Sequence, residues 1–116
     1  MRYLCLVHGD PATGARMSEI ESRAFDDEHL AYDETLKAGG HLVANNALEP
    51  AEAATIVRVR DGRISTTDGP FAETKEQLGG FILIEARDLN EAIRLAAGIP
   101  SARVGSIEVR AVSYLR

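Results

Sequence analysis

His29 and Asp33 are the residues whose types and spacing come closest to a catalytic pair. Four positions apart in a helical pattern, they share one face and can touch. An imidazole beside a carboxylate is a general base whose pKa lies near the working pH. The same pair also reads as a half-exposed His in a local ion pair. Asp68, in Thr66-Thr-Asp-Gly-Pro-Phe71, is a second acid/base candidate at the rim of a pocket. Lys75 follows it and would hold an anionic substrate group, with Glu73 or Glu76 as counter-charge. The residues of the Asp68–Phe71 run equally make a rigid turn. Asp68 accepts backbone N–H bonds two residues on, Gly69 permits a backbone other residues avoid, and Pro70 fixes φ with either peptide isomer. His8, Glu28, Tyr32 and Phe71 complete the candidate ligand contacts, and His41 reads as a surface or capping residue.

Metal and cofactor chemistry find little support. The three His lack H-x-H or H-x-x-x-H spacing, so no metal site is expected. Cys5 is the only cysteine, which excludes an internal disulfide and reads as a small core residue. There is no phosphate-binding glycine motif and no nucleophile elbow, and no organic cofactor is expected.

The elements that must position these residues are legible from patterning. Tyr3-Leu-Cys-Leu-Val7 is a continuous apolar run, predicting a strand buried on both faces, with His8 at its end facing a cleft. Asp10-Pro11 and Thr13-Gly14 predict a loop. Ser18 and Glu21 form a capping box, so a helix starts there and stops at Gly39-Gly40. At helical periodicity Ile20, Ala24, Phe25, Ala31, Tyr32, Leu36 and Ala38 share one broad half, with Glu21 and Glu28 intruding. A second strand is expected over 41–48. Residues 55–60 alternate cleanly, Asp61-Gly62 is a hairpin signal, and 63–67 returns as a partner strand. A loop over 68–77, a buried strand over 81–84, a helix capped by Asp88 with Glu91, and a last strand at 107–111 follow.

This order, β-α-β-β-(β)-β-α-β, is an α+β, ferredoxin-like split βαβ with an extra hairpin strand. At 116 residues it is one domain (1–116), able to bury about two-thirds of its unfolded surface. A sheet covered by helices on one face leaves the other needing a partner, so a homodimer packed sheet on sheet is expected. The net charge of −5, the absence of Trp and the lack of a basic face argue against nucleic acid. No segment approaches the ~18 apolar residues of a membrane span, and the N-terminal apolar run is too short for a signal-peptide core, so a cytoplasmic protein without a membrane partner is expected.

Over its full length the chain resembles the DGPF-motif branch of the YCII-related family. The resemblance is carried by Tyr3-Leu-Cys-Leu6, Gly40-His-Leu-Val-Ala44, the hairpin segment 55–62, the run Asp68-Gly-Pro-Phe-Ala-Glu-Thr-Lys-Glu76, and Ser106-Ile-Glu-Val-Arg110. It implies a dimeric α+β barrel with a small-molecule cleft. In the wider family the proposed site pairs a His on the first helix with an Asp before a Pro that follows the second. The His corresponds to His29, whereas the Asp position holds Ile99, which cannot ionise. The function expected is therefore binding of an unidentified small molecule, with His29 or Asp68 as acid/base if there is catalysis. Two other readings stand beside it. Family members are often encoded beside extracytoplasmic-function sigma factors, which suggests a non-catalytic regulatory or interaction module. Fold analogy alone suggests a monooxygenase-like role.

Overall fold

The computed structural model describes residues 1–115. Six strands and three helices run in the order β1 (Arg2–Gly9), α1 (Pro11–Ala15), α2 (Glu19–Ala38), β2 (Leu42–Ala47), β3 (Thr55–Arg60), β4 (Arg63–Asp68), β5 (Gln77–Glu85), α3 (Leu89–Ala97) and β6 (Ser106–Ala111). Strands β2-β5-β1-β6 form one antiparallel sheet, while β3 and β4 form a separate two-stranded ribbon. The four-stranded order is that of the split βαβ fold, so the expected α+β, ferredoxin-like class holds. The hairpin adds no strand to this sheet.

Register explains the core. Tyr3 lies between Ile84 and Ala111, and Cys5 between Ile82 and Val109, so alternate residues of the central strands point to one face. There Tyr3, Cys5, Ile82 and Ile84 pack with Leu36 of α2, Ala92 and Ala96 of α3, and Ile99. Leu4, Leu6, Phe81 and Leu83 take the opposite face and are only half-buried. The expectation of strands buried on both faces therefore fails for the single chain, because no helix covers that side.

The caps behave as their residue types require. Ser18 Oγ accepts the Glu21 N–H at 3.1 Å and the Glu21 carboxylate accepts the Ser18 N–H at 3.0 Å, closing the capping box. Asp88 accepts the Glu91 N–H at 2.9 Å to start α3. The segment expected as a loop at 10–14 is instead α1. Asp10 caps it through the Ala12 N–H at 2.9 Å and Pro11 occupies its first turn, where a missing N–H costs nothing. In the ribbon, Asp61 and Gly62 take φ of 52° and 73°, the paired positive values of a type I′ turn.

Helix α2 departs most from its sequence pattern. Of its broad apolar half only Leu36 is buried, with Phe25, His29, Tyr32 and Asp33 half-buried; Ile20 and Leu30 face solvent. The alanines on that half are too short to bridge to the sheet. The helix therefore seats at its C-terminal end, where Leu36 is buried, and leaves a trench beneath its middle turns.

Candidate active site under the first long helix

The trench contains a cavity of about 570 Å³ lined by Phe25, His29, Asp33, Asn45, Gly80 and Ser101, among others. His29 projects into it from α2, with Phe25 edge-on to the imidazole at a centroid distance of 5.1 Å. Its Nε2 lies 2.9 Å from Ser101 Oγ. Ser101 belongs to the 3-10 turn Pro100–Arg103, which follows the core residue Ile99. The same turn is tied to α2 by Arg103, whose guanidinium donates to the Glu28 carboxylate at 2.7 Å. Asp33 lines the cavity one turn from His29 and acts on it through space, not through a hydrogen bond. The expected His29–Asp33 contact is thus replaced by His29–Ser101.

Burial pushes the His29 pKa below the ordinary imidazole value, outweighing the carboxylates of Asp33, Asp26 and Glu28, which pull it upward. Arg103 adds to the lowering. The unfolded chain then binds this proton more readily than the folded one, so the stability linked to His29 is full above pH ~6.5 and is lost as pH falls through the folded pKa. Glu21, Asp88, Glu91 and Glu108 are also lowered, the first three by accepting backbone hydrogen bonds and Glu108 by its hydrogen bond with Arg110, and they act in a more acidic window. Denaturant titrations between pH 7 and 5 are therefore expected to show a loss of stability that the His29→Gln variant lacks. An identical slope in both proteins would contradict the burial of this imidazole.

The trench extends past Ser101 into a second cavity of about 400 Å³ that reaches α1 and includes Val7, His8, Phe25 and Gly105. His8 also borders a third, of about 560 Å³, beneath Pro70 and Phe71. Its Nε2 is 3.3 Å from Glu108 Oε1. Tyr32 donates its hydroxyl to the Leu95 carbonyl at 2.5 Å and so joins α2 to α3. Its phenol pKa is raised by burial.

Asp68 is the last residue of β4, exposed and paired in register with Thr55; it lines none of these three cavities itself but lies two positions before Pro70, which borders the third. The structure does not bring it near His29's cavity. Lys75 is likewise exposed and outside all three. Glu28 is exposed and committed to Arg103. Phe71 is 83% exposed yet helps roof the third cavity. The Gly69–Pro70 bond is trans, and the Gly69 N–H donates to the Ala54 carbonyl at 2.7 Å. His41 Nδ1 meets the Glu85 carbonyl at 2.8 Å, which ties the residue before β2 to the end of β5. Sequence reasoning missed Ser101, whose only local signal was a hydroxyl directly after Pro100.

Among the described residues no helix is long and apolar enough to cross a membrane, and no group of three His, Cys, Asp or Glu side chains converges on a metal position. Comparison with known proteins fits this architecture. The uncharacterized protein R00369 of Rhizobium meliloti is 35% identical over 118 residues, a match covering 100% of this chain and 95% of that protein. A solved structure of 5-chloro-2-hydroxyhydroquinone dehydrochlorinase from Burkholderia phenoliruptrix, in complex with 2,5-dihydroxybenzoquinone, is similar with a TM-score of 0.58. It is 20% identical, and the match covers 98% of this chain and 95% of that one, which supports the fold. The model of the YCII-related domain matches residues 1–116, and the chain therefore belongs to the YCII-related family.

Proposed function

We propose that this protein binds a small, uncharged oxygenated organic molecule in the trench between α2 and the sheet, and that His29 serves it as a general base. The observation that carries this reading is a half-buried imidazole, lowered in pKa and held open to a cavity of about 570 Å³. Such a group is neutral near pH 7 and can accept a proton from a weakly acidic hydroxyl. Asp26 and Asp33 border the cavity, while Arg103 is spent on Glu28, so the trench favours a neutral ligand over an anion. The dehydrochlorinase named above acts on a hydroxylated ring, which supports phenol-like compounds as the class to test.

The probe is hydroxyhydroquinone, titrated anaerobically at pH 7 against wild-type protein and His29→Gln. The variant is expected to bind about tenfold more weakly, the equivalent of one charge-assisted or buried hydrogen bond. Equal affinities would remove His29 from the site. As part of the same reading, a second copy of the chain covers the open sheet face. The single chain exposes 8276 Å², against about 6,200 Å² for a compact monomer of this mass. Its radius of gyration of 16.1 Å likewise exceeds the about 13 Å of a compact chain of this length.

A further inference from the structure

We infer that Ser101 is a nucleophile with His29 as its base, so that the trench accepts acyl groups from small esters or lactones. The inference rests on the cleft and on the role of His29 proposed above. Nucleophile and base lie 2.9 Å apart, inside the range that proton transfer requires. Burial keeps His29 neutral, and in its Nδ1–H tautomer the imidazole turns an Nε2 lone pair to the Ser101 hydroxyl 2.9 Å away. Asp33, one turn along α2, is the largest source of the electrostatic field that would stabilise the resulting imidazolium.

Three further observations favour chemistry over tethering. The Arg103–Glu28 pair already fastens the same turn to α2, so the Ser101 hydroxyl is not needed for that contact. The Ser101 backbone is fixed independently, since its carbonyl accepts the Val104 and Gly105 N–H groups at 3.2 and 2.8 Å and it follows Pro100 and the buried Ile99. Ser101 also borders both arms of the trench, so an acyl carbon can approach while the leaving group occupies the other arm. Cys5 cannot compete, because it is fully buried and burial pushes its thiol up to about 11.

The steps balance without another reagent than water. Ser101 Oγ bonds to the acyl carbon as its proton passes to His29 Nε2. The tetrahedral adduct collapses, the ester C–O bond breaks, and the leaving alkoxide takes that proton. Water, deprotonated by His29, then attacks the acyl-serine; the acyl C–Oγ bond breaks as His29 returns that proton to Ser101 Oγ, and the carboxylic acid leaves with Ser101 and neutral His29 restored.

The test is p-nitrophenyl acetate, followed by release of p-nitrophenolate and by peptide mass mapping of the acetylated protein. Acetyl is expected on Ser101, with the rate falling at least a hundredfold in Ser101→Ala and in His29→Ala. The Ser101→Cys variant adds a readout that tethering would not move. Its alkylation by iodoacetamide should plateau well below pH ~8.5, the ordinary thiol value, and lose that plateau when His29→Ala is added. Acetyl found only on lysines or the N-terminus, or alkylation that follows an ordinary thiol, overturns the nucleophile. Wild-type protein that binds hydroxyhydroquinone yet stays unacetylated at Ser101 overturns this inference alone, whereas protein that does neither overturns the cleft reading as well.

Discussion

Gly105→Ala is expected to destabilise the protein by about 3 kcal/mol, a fall of roughly 12 °C in Tm for a chain of this size. A Cβ at this position would run into the His8 carbonyl oxygen and sit 3.2 Å from Gly9 Cα. Both obstacles are backbone, so no rotamer change can relieve them. Either the end of β1 moves or the start of β6 does, and the pairing of His8 with Ser106 opens. His8 would then leave Glu108, and the wall between the trench and the cavity under Phe71 would shift with it. Gly14→Ala is the control, because a Cβ there meets nothing within 4 Å and the residue lies in α1. Thermal melts of the two variants should differ by most of that interval. Coincident melts would mean that the two strand ends do not approach this closely in solution.

Leu83→Glu is expected to abolish self-association while leaving the fold intact. Leu83 faces away from the helices, opposite Leu4 and beside the Leu6–Phe81 pair, and is half-buried within one chain. Leu4, Leu6, Phe81 and Leu83 form the apolar patch, half-buried in the single chain, that a second copy would cover. A two-fold dimer on this face would bring two copies of position 83 into one apolar layer. Two unpaired carboxylates there cost several kcal/mol, enough to weaken association at least a thousandfold. Sedimentation velocity should report a dimer for the wild type and a monomer for Leu83→Glu, with matching far-UV circular dichroism. A monomeric wild type, or a variant that still dimerises, would sink the proposed interface.

Much of the fold was legible because its signals are local. Ser18 and Glu21 specify a helix start by themselves, and Asp61-Gly62 specifies a tight turn whatever surrounds it. The failures arise where a residue's role depends on a distant neighbour. Asp10-Pro11 suits a loop and a helix start equally, and in the structure the Asp10 carboxylate takes up the Ala12 N–H and caps α1. The apolar half of α2 looked broad because alanine counts as apolar, but reach to the sheet depends on side-chain length, which Tyr32 and Leu36 have and Ala24 and Ala31 lack. For the site, His29 was identifiable from its spacing with Asp33 and from the family resemblance. Its actual partner is 72 residues away, a separation no helical periodicity encodes. Around Asp68 the turn formers point to a rigid turn, and the Gly69 N–H bond to the Ala54 carbonyl is consistent with that role.

That bond also bears on how such a chain can change over generations. The Gly69 N–H to Ala54 carbonyl contact adds one more rung at the root of the β3–β4 ladder, and the ribbon pairs with no strand of the four-stranded sheet. Nothing in the register of the four-stranded sheet depends on the ribbon's length, since β2 and β5 pair directly with each other. Residues can therefore be gained or lost at the Asp61-Gly62 tip without disturbing the register that frames the trench.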